Sequence, residues 1–144
     1  MKVKVLGARL LTKEEYLQNR DCIGSRRPWF WLQDKCGEQS DLVAAVYIED
    51  VVGFYEVDYK FGVVPGLVLE KSTLPVGSKL EYGLHSFTVL PKGLAVCDKA
   101  LLRMAFREDW KADDAGVYER SDVEKWLKRW YEKYGDTAEA TDPE

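Results

Sequence analysis

The chain has 144 residues, of which 46% are hydrophobic and 32% are charged, and its formal net charge is −4 at pH 7. A chain of this length buries roughly 68–70% of its unfolded surface, so we expect one globular domain with its own core. No apolar run approaches the ~20 residues of a membrane span, and the N-terminal segment lacks the apolar stretch of a signal peptide. We therefore expect a soluble, cytoplasmic protein without a membrane partner.

Charge and cysteine content argue against further classes of protein. The basic residues are scattered, whereas a nucleic-acid-binding protein needs a basic stripe to neutralise phosphates, so nucleic acid is not predicted as a partner. Cys22, Cys36 and Cys97 are odd in number and far apart, which predicts reduced thiols; one disulfide with a spare thiol is the alternative. With these dispersed thiols and one histidine, a tetrahedral zinc site is not expected.

The first half of the chain alternates between apolar strands and polar turns. The segment KVKVLGARLL predicts a strand. Thr12, answered by Glu15 three residues later, forms a capping box that opens a short helix to about Asn19. A loop over 20–28 follows it. Further strands are predicted at 29–33, 42–48, 54–59 and 62–70, with a polar loop at 33–41 and an interruption at Pro65.

The second half contains the clearest helix. Residues 79–102 predict two or three strands, with corners at Gly83 and at 91–93, and a long acidic loop follows. Ser121, answered by Glu124, then opens a helix whose apolar side chains recur at helical spacing, and we assign this stripe to the core. The stripe consists of Val123, Trp126, Leu127, Trp130, Tyr131 and Tyr134. Residues 136–144 are acidic and aperiodic, which predicts a disordered tail.

Two segments resemble the DUF6273-type domains of bacteria and phages. The motifs LLTKEEYLQNR, WFWLQ and GVVPGLVL resemble the C-terminal half of that family. The motifs LPVGSKLEYG, SFTVL and VYERSDVEKWLKRWYEKYG, which follow them here, resemble its N-terminal half. The reversed order implies a circular permutant, or one repeat that is cut at a different joint. The resemblance implies an α+β, C-type-lectin-like domain over residues 1–135, with twisted antiparallel sheets on which a short N-terminal and a long C-terminal helix pack.

The chain departs from the family pattern at positions that could bind ligands. Gln33 and Asp34 stand where the family motif W-W-L-R-S has arginine and serine, and Val64 replaces the arginine of G-V-R-P. The resemblance therefore carries the fold but no ligand.

Catalytic and metal chemistry find little support in the sequence. His85 is the only histidine, and Ser86 beside it would point to the opposite face of a strand, so we expect a structural histidine and no enzyme; a hydrolase that uses His85 and Cys97 is the remaining option. Residues 108–114 hold carboxylates suited to Ca²⁺, but they lack the D-x-D-x-D-G spacing, so neither a metal nor another cofactor is predicted.

Two long polar loops, at 33–41 and 107–119, are the candidate binding surface. Loops that carry an aromatic residue among charged residues often anchor protein interfaces. We predict a non-enzymatic recognition protein that binds a protein partner, in particular a phage- or prophage-encoded inhibitor of a bacterial defence enzyme. A glycan- or small-ligand-binding module is the alternative. For Trp110, burial in the core is also open. The predicted binding residues are Trp110, Arg107, Asp109, Asp113, Asp114, Tyr118, Gln33, Asp34, Lys35, Arg26 and Arg27.

Overall fold

The computed structural model describes residues 1–23, 29–47, 51–70 and 74–141, and these form a barrel of six strands and a five-stranded sheet. The α+β class predicted from the sequence is confirmed, with strands predominating. The strands are β1 (Lys2–Arg9), β2 (Phe30–Cys36), β3 (Gln39–Val46), β4 (Val52–Glu56), β5 (Lys60–Gly62), β6 (Gly66–Leu69), β7 (Lys79–Tyr82), β8 (His85–Leu90), β9 (Leu94–Cys97), β10 (Arg103–Ala105) and β11 (Thr137–Ala140). The helices are α1 (Lys13–Gln18), α2 (Arg20–Ile23) and α3 (Asp122–Tyr134), and a 3-10 turn covers Tyr118–Arg120.

The barrel closes in the order β1-β11-β7-β8-β9-β6, and each strand is antiparallel to both neighbours. In β1, β7 and β11, buried side chains alternate with more exposed ones, as the two-residue period of a strand predicts. In β8 and β9, consecutive residues are buried, at 87–90 and 94–97. The buried hydrophobic side chains of the barrel strands are Val3, Val5, Leu67, Leu69, Leu80, Tyr82, Phe87, Val89, Leu90, Leu94, Ala95, Val96, Cys97 and Ala138. These side chains form a continuous part of the hydrophobic core.

The second sheet has the order β10-β5-β2-β3-β4. Its β2–β5 pair is parallel, so the expectation of purely antiparallel sheets is wrong for this pair. Trp31 on β2 is fully buried, and its indole Nε1 donates a hydrogen bond to the Met104 carbonyl at 3.0 Å. Its ring lies 4.8 Å from that of Phe61 and 5.5 Å from that of Phe106, between centroids. This aromatic cluster joins β2, β5 and the segment after β10.

Two predicted loops contain regular structure. The loop expected over 33–41 is wrong, because β2 continues to Cys36, β3 begins at Gln39, and a tight turn with Gly37 at φ 52° joins them. Polar residues continue the strands there because the backbone pairing of a hairpin does not require apolar side chains at its tip. The loop expected over 20–28 is also wrong at its start, where α2 forms; residues 24–28 lie outside the described residues.

The predicted disordered tail is wrong for residues 137–140, which form β11. This strand lies between β1 and β7, with Val3 opposite Ala138 and Leu80 opposite Ala140. Tail composition indicated disorder because the segment is short and acidic. Two flanking strands nevertheless satisfy its backbone, and the barrel interior buries Ala138. Residues 142–144 lie outside the described residues.

Helix α3 occupies the segment over which the sequence predicts a long helix. The Ser121 hydroxyl accepts a hydrogen bond from the Glu124 amide at 3.0 Å, and the chain leaves the helix at Gly135 with φ 84°. The Glu124 carboxylate pairs with Lys128 at 2.9 Å rather than answering Ser121. At α1, by contrast, both hydrogen bonds of the Thr12–Glu15 capping box are present. No helix in the described ranges has the length and apolar composition that crossing a membrane requires.

Because the Ala138 side chain is buried in the barrel, a charged side chain at this position should destabilise the barrel. We expect Ala138→Asp to lower the free energy of unfolding by at least about 3 kcal/mol, since a buried carboxylate without a partner is strongly destabilising. Thr137→Asp places the same group on the exposed face and should change stability by less than about 0.5 kcal/mol. Urea unfolding measures both, and equal losses would contradict a structural role for β11.

Tyr82 predicts a specific response to alkaline pH. Its hydroxyl donates to the Gly135 carbonyl at 2.6 Å, and burial raises its pKa from 10.0 to about 12. Tyr82 therefore ionises first in the unfolded chain, and its stabilising contribution, present below pH 10, is lost as pH rises towards 12. At pH 9, Tyr82→Phe should be less stable than wild type by about 1 kcal/mol, the typical net value of one hydrogen bond.

Urea unfolding of wild type and Tyr82→Phe at pH 9 and pH 11.5 checks this effect. The difference between the two proteins should shrink at the higher pH. A difference that stays constant would show that Tyr82 has an ordinary pKa in the folded protein.

Candidate functional site

Residues 107–119, which we call the Trp110 loop, form an ordered turn structure on the surface. The amide of Trp110 donates to the Glu108 carbonyl at 3.0 Å, that of Ala115 to Ala112 at 3.1 Å, and that of Val117 to Asp114 at 3.0 Å. The side chain of Ala115 is fully buried and anchors the middle of the loop. The loop thus satisfies much of its own backbone.

Ion pairs fasten Asp114, in the middle of the Trp110 loop, to Arg107 at its start and to Arg120 just after its end. Arg107 donates to the Asp114 carboxylate at 2.7 Å and to the Asp114 carbonyl at 3.2 Å, while Arg120 lies 3.5 Å from the same carboxylate. The Arg107 side chain is 17% exposed and that of Asp114 is 36% exposed, so solvent reaches this pair mainly from the side of the carboxylate. The Glu108 amide donates to the Asp122 carboxylate at 2.9 Å, and this bond ties the loop to the first turn of α3.

Trp110 projects from this braced loop into solvent. Its side chain is 47% exposed, and the Lys111 ammonium lies 5.4 Å from the ring centroid. The alternative that Trp110 fills the core is therefore wrong. The aromatic residues that pack in the core here are Phe106 and Tyr118, whose ring centroids are 6.3 Å apart.

Tyr118 is the predicted binding residue whose side chain is mostly buried. It is only 9% exposed, and its hydroxyl accepts a hydrogen bond from the Leu10 amide at 3.2 Å. Burial raises the pKa of this hydroxyl well above its ordinary value. Tyr118 therefore satisfies the backbone donor that follows β1, and only a small part of it is accessible from the surface.

The residues predicted in the other loop meet the Trp110 loop at a small cleft. The Gln33 side-chain amide donates to the Leu10 carbonyl at 2.7 Å, and the Asp34 carboxylate accepts from the Lys13 amide at 2.6 Å. Both side chains therefore also fasten β2 to the start of α1. The cleft has a volume of about 270 Å³ and is lined by Thr12, Gln33, Asp34, Lys35, Gly116, Val117, Tyr118 and Glu119. Trp110 is not part of its lining, and Arg26 and Arg27 lie outside the described residues.

The carboxylates of the Trp110 loop do not converge on one point. The Asp114 carboxylate is engaged by Arg107 and Arg120, whereas Asp109 and Asp113 are exposed. Within the described part of the chain, no three His, Cys, Asp or Glu side chains converge as metal ligands would.

The hydrolase option places its two residues in different surroundings. Cys97 is fully buried opposite Phe87 on the neighbouring strand. His85 lies opposite Tyr82, and burial followed by the charge of Lys99 lowers its pKa, while Glu81 acts in the opposite direction. Cys97 is a core side chain that a substrate would not reach.

Sequence analysis missed a second concave surface, which we call the α3 groove. It has a volume of about 510 Å³ and is lined by His85, Leu101, Trp126, Arg129, Trp130, Lys133 and Tyr134. The aromatic stripe of α3 was assigned to the core as a whole, yet Trp126 and Tyr134 are only partly buried. The sequence does contain a signal for this groove: the apolar stripe of α3 is broad, and basic residues alternate with aromatic residues along it.

We expect the ion pairs of Asp114 to keep the Trp110 loop ordered. Asp114→Ala should cost about 1 kcal/mol locally, which corresponds to roughly fivefold faster amide exchange over residues 108–117, with little change in global stability. Asp113→Ala removes an exposed carboxylate of the same loop and is the matched control. Hydrogen-exchange mass spectrometry measures both variants, and identical exchange would show that the loop does not depend on these pairs.

No family model, curated protein or solved structure matches this chain. The resemblance to DUF6273-type domains, with the circular permutation and the C-type-lectin-like fold that it implies, therefore stays a prediction. A proposal about function therefore rests on the geometry of the Trp110 loop and of the cleft beside it.

Proposed function

We propose that this protein is a non-enzymatic recognition protein that binds a protein partner through the Trp110 loop. The observation that carries the proposal is a half-exposed tryptophan on a loop braced by the Arg107–Asp114 ion pair. Tryptophan dominates the binding energy of protein interfaces because it buries a large rigid surface. A braced loop loses little conformational entropy on binding, so more of that energy contributes to affinity.

The surroundings of Trp110 suit the edge of a protein interface. Glu108, Asp109, Lys111 and Asp113 are exposed around it and carry both signs of charge. Interfaces commonly place a few apolar anchors within a polar, solvated rim, where charges select the partner more than they add affinity. The cleft beside residues 116–119 offers a recess for a partner side chain.

The proposal also includes a more specific identity for the protein. We propose a C-type-lectin-like domain with permuted halves that acts in the cytoplasm as a phage- or prophage-encoded inhibitor of a bacterial defence enzyme. Two observations support parts of it. Strands β1 and β11 pair, so the two ends of the domain lie side by side, which makes a permutation of the chain physically inexpensive. Cys22 and Cys36 are free thiols, as expected in a reducing compartment.

The proposal is tested by placing a photo-crosslinking phenylalanine analogue at Lys111 and irradiating the protein in bacterial lysate. The crosslinked protein is identified and purified, and its affinity for the uncrosslinked chain is measured by calorimetry. We expect Trp110→Ala to weaken binding by about 2 kcal/mol, or roughly 30-fold.

Leu84→Ala is the control, because Leu84 is 87% exposed and lies on the hairpin beside the C-terminal end of α3, opposite the end that contacts the Trp110 loop. It should change affinity by less than about twofold, the range of a residue outside the hot spot. Equal losses for the two variants would place the interface elsewhere. Absence of any crosslinked protein, with the chain folded, would reject the protein-binding function and favour glycan or small-ligand binding.

A further inference from the structure

The α3 groove lies apart from the Trp110 loop and has the dimensions of a small-molecule site. Its volume of about 510 Å³ falls within the range of roughly 300–1,000 Å³ typical of ligand pockets. Its walls come from α3, from His85 at the start of β8, and from Leu101 between β9 and β10.

One face of α3 supplies most of the groove. Residues at positions i, i+3, i+4, i+7 and i+8 of a helix project from the same side. Aromatic and basic side chains alternate along this side, over a length of about 12 Å. In order they are Trp126, Arg129, Trp130, Lys133 and Tyr134.

The aromatic wall is held in a fixed arrangement. The rings of Trp126 and Trp130 are nearly parallel, with an interplanar angle of 15° and centroids 6.2 Å apart. Trp130 is only 8% exposed and packs against the hairpin at Gly83, where a Cβ would come within 2.7 Å of the indole. Only glycine allows this contact, so the hairpin supports Trp130 while Trp126 remains partly accessible.

The charge of the groove is opposite to that of the whole chain. The chain carries a net charge of −4, yet Arg129 and Lys133 line the groove and no carboxylate does. Among the described ion pairs neither of these two side chains has a carboxylate partner. Lys99 adds positive potential near His85, and Glu81 is the acidic group acting on that histidine. The Lys133 ammonium lies 5.2 Å from the centroid of the Tyr134 ring. An anionic ligand would therefore find cations that have no carboxylate partner among the described ion pairs, beside an aromatic surface.

We propose that the α3 groove binds a nucleoside phosphate, with the base stacked on the Trp126 ring and the phosphate held by Arg129 and Lys133. Every nucleobase offers a planar face to an indole, and stacking contributes about 1–3 kcal/mol per base. Both cations can donate to phosphate oxygens, and His85 can bond to the sugar or the base. An acidic peptide would use the cations but would leave the paired tryptophans without a planar partner.

The site is tested by calorimetry with the four ribonucleoside 5′-monophosphates, with adenosine and inorganic phosphate as the two separate halves, and with a ten-residue oligodeoxythymidylate. We expect at least one nucleotide or the oligonucleotide to bind at least tenfold more tightly than either half alone. An oligonucleotide that binds more than tenfold tighter than the free nucleotides would identify single-stranded nucleic acid as the source of the ligand.

Variants of exposed residues separate this site from general effects on folding. Arg129→Gln and Lys133→Gln should each weaken nucleotide binding at least fivefold, with an unchanged circular dichroism spectrum. Lys125→Gln removes an equally exposed cation of α3 that does not line the groove, and it should have no effect. Trp126→Leu should abolish the preference for nucleotide over phosphate.

Three outcomes would overturn the proposal. These are no saturable binding of any nucleotide or of the oligonucleotide, equal losses in Lys133→Gln and Lys125→Gln, and tighter binding of an acidic hexapeptide than of every nucleotide. None of these outcomes tests the Trp110 loop, so each of the two proposals can be rejected while the other stands.

Discussion

The position of β1 between β6 and β11 is the constraint on which the rest of the structure depends. This one strand hydrogen-bonds on both sides and thereby closes the barrel, with residues from the two ends of the domain side by side. Closure removes exposed edges from these six strands, and exposed edges otherwise invite pairing with other chains. Because α3 directly precedes β11 in the chain, the helix must run across the barrel so that β11 can pair with β1. This path places α3 beside both the Trp110 loop and the α3 groove.

Polar contacts then fix α3 against the barrel. The Tyr131 hydroxyl donates to the Val5 carbonyl at 2.7 Å, and the Tyr82 hydroxyl donates to the Gly135 carbonyl at 2.6 Å. At the start of the helix, the Asp122 amide donates to the carbonyl of Phe106, directly after β10, at 2.9 Å. The helix is thus held at both ends. Its first turn supports the Trp110 loop, and its later turns form the wall of the α3 groove.

Sequence reasoning succeeded where local chemistry determines the structure. The capping box at Thr12 and the glycine corner at Gly83 are specified by neighbouring residues, and both are present in the structure. It failed at β11, because the tail becomes a strand only through β1 and β7, which are distant in sequence. The same limit applies to the site. Trp110 and Tyr118 lie on one loop among similar charges. Packing against Phe106 and a hydrogen bond from the Leu10 amide, far away in the chain, make Tyr118 a core residue.

The rigidity of α3 determines how the two proposed sites can act together. Coupling between sites requires an element with two arrangements that both ligands bias. Helix α3 is bonded to the barrel through Tyr131 and to the Trp110 loop through Asp122, and its apolar face is packed in the core. A shift of this helix would break these contacts together. The fold therefore favours independent action of the two proposed sites on one rigid scaffold, in which occupation of one site would leave the affinity of the other unchanged.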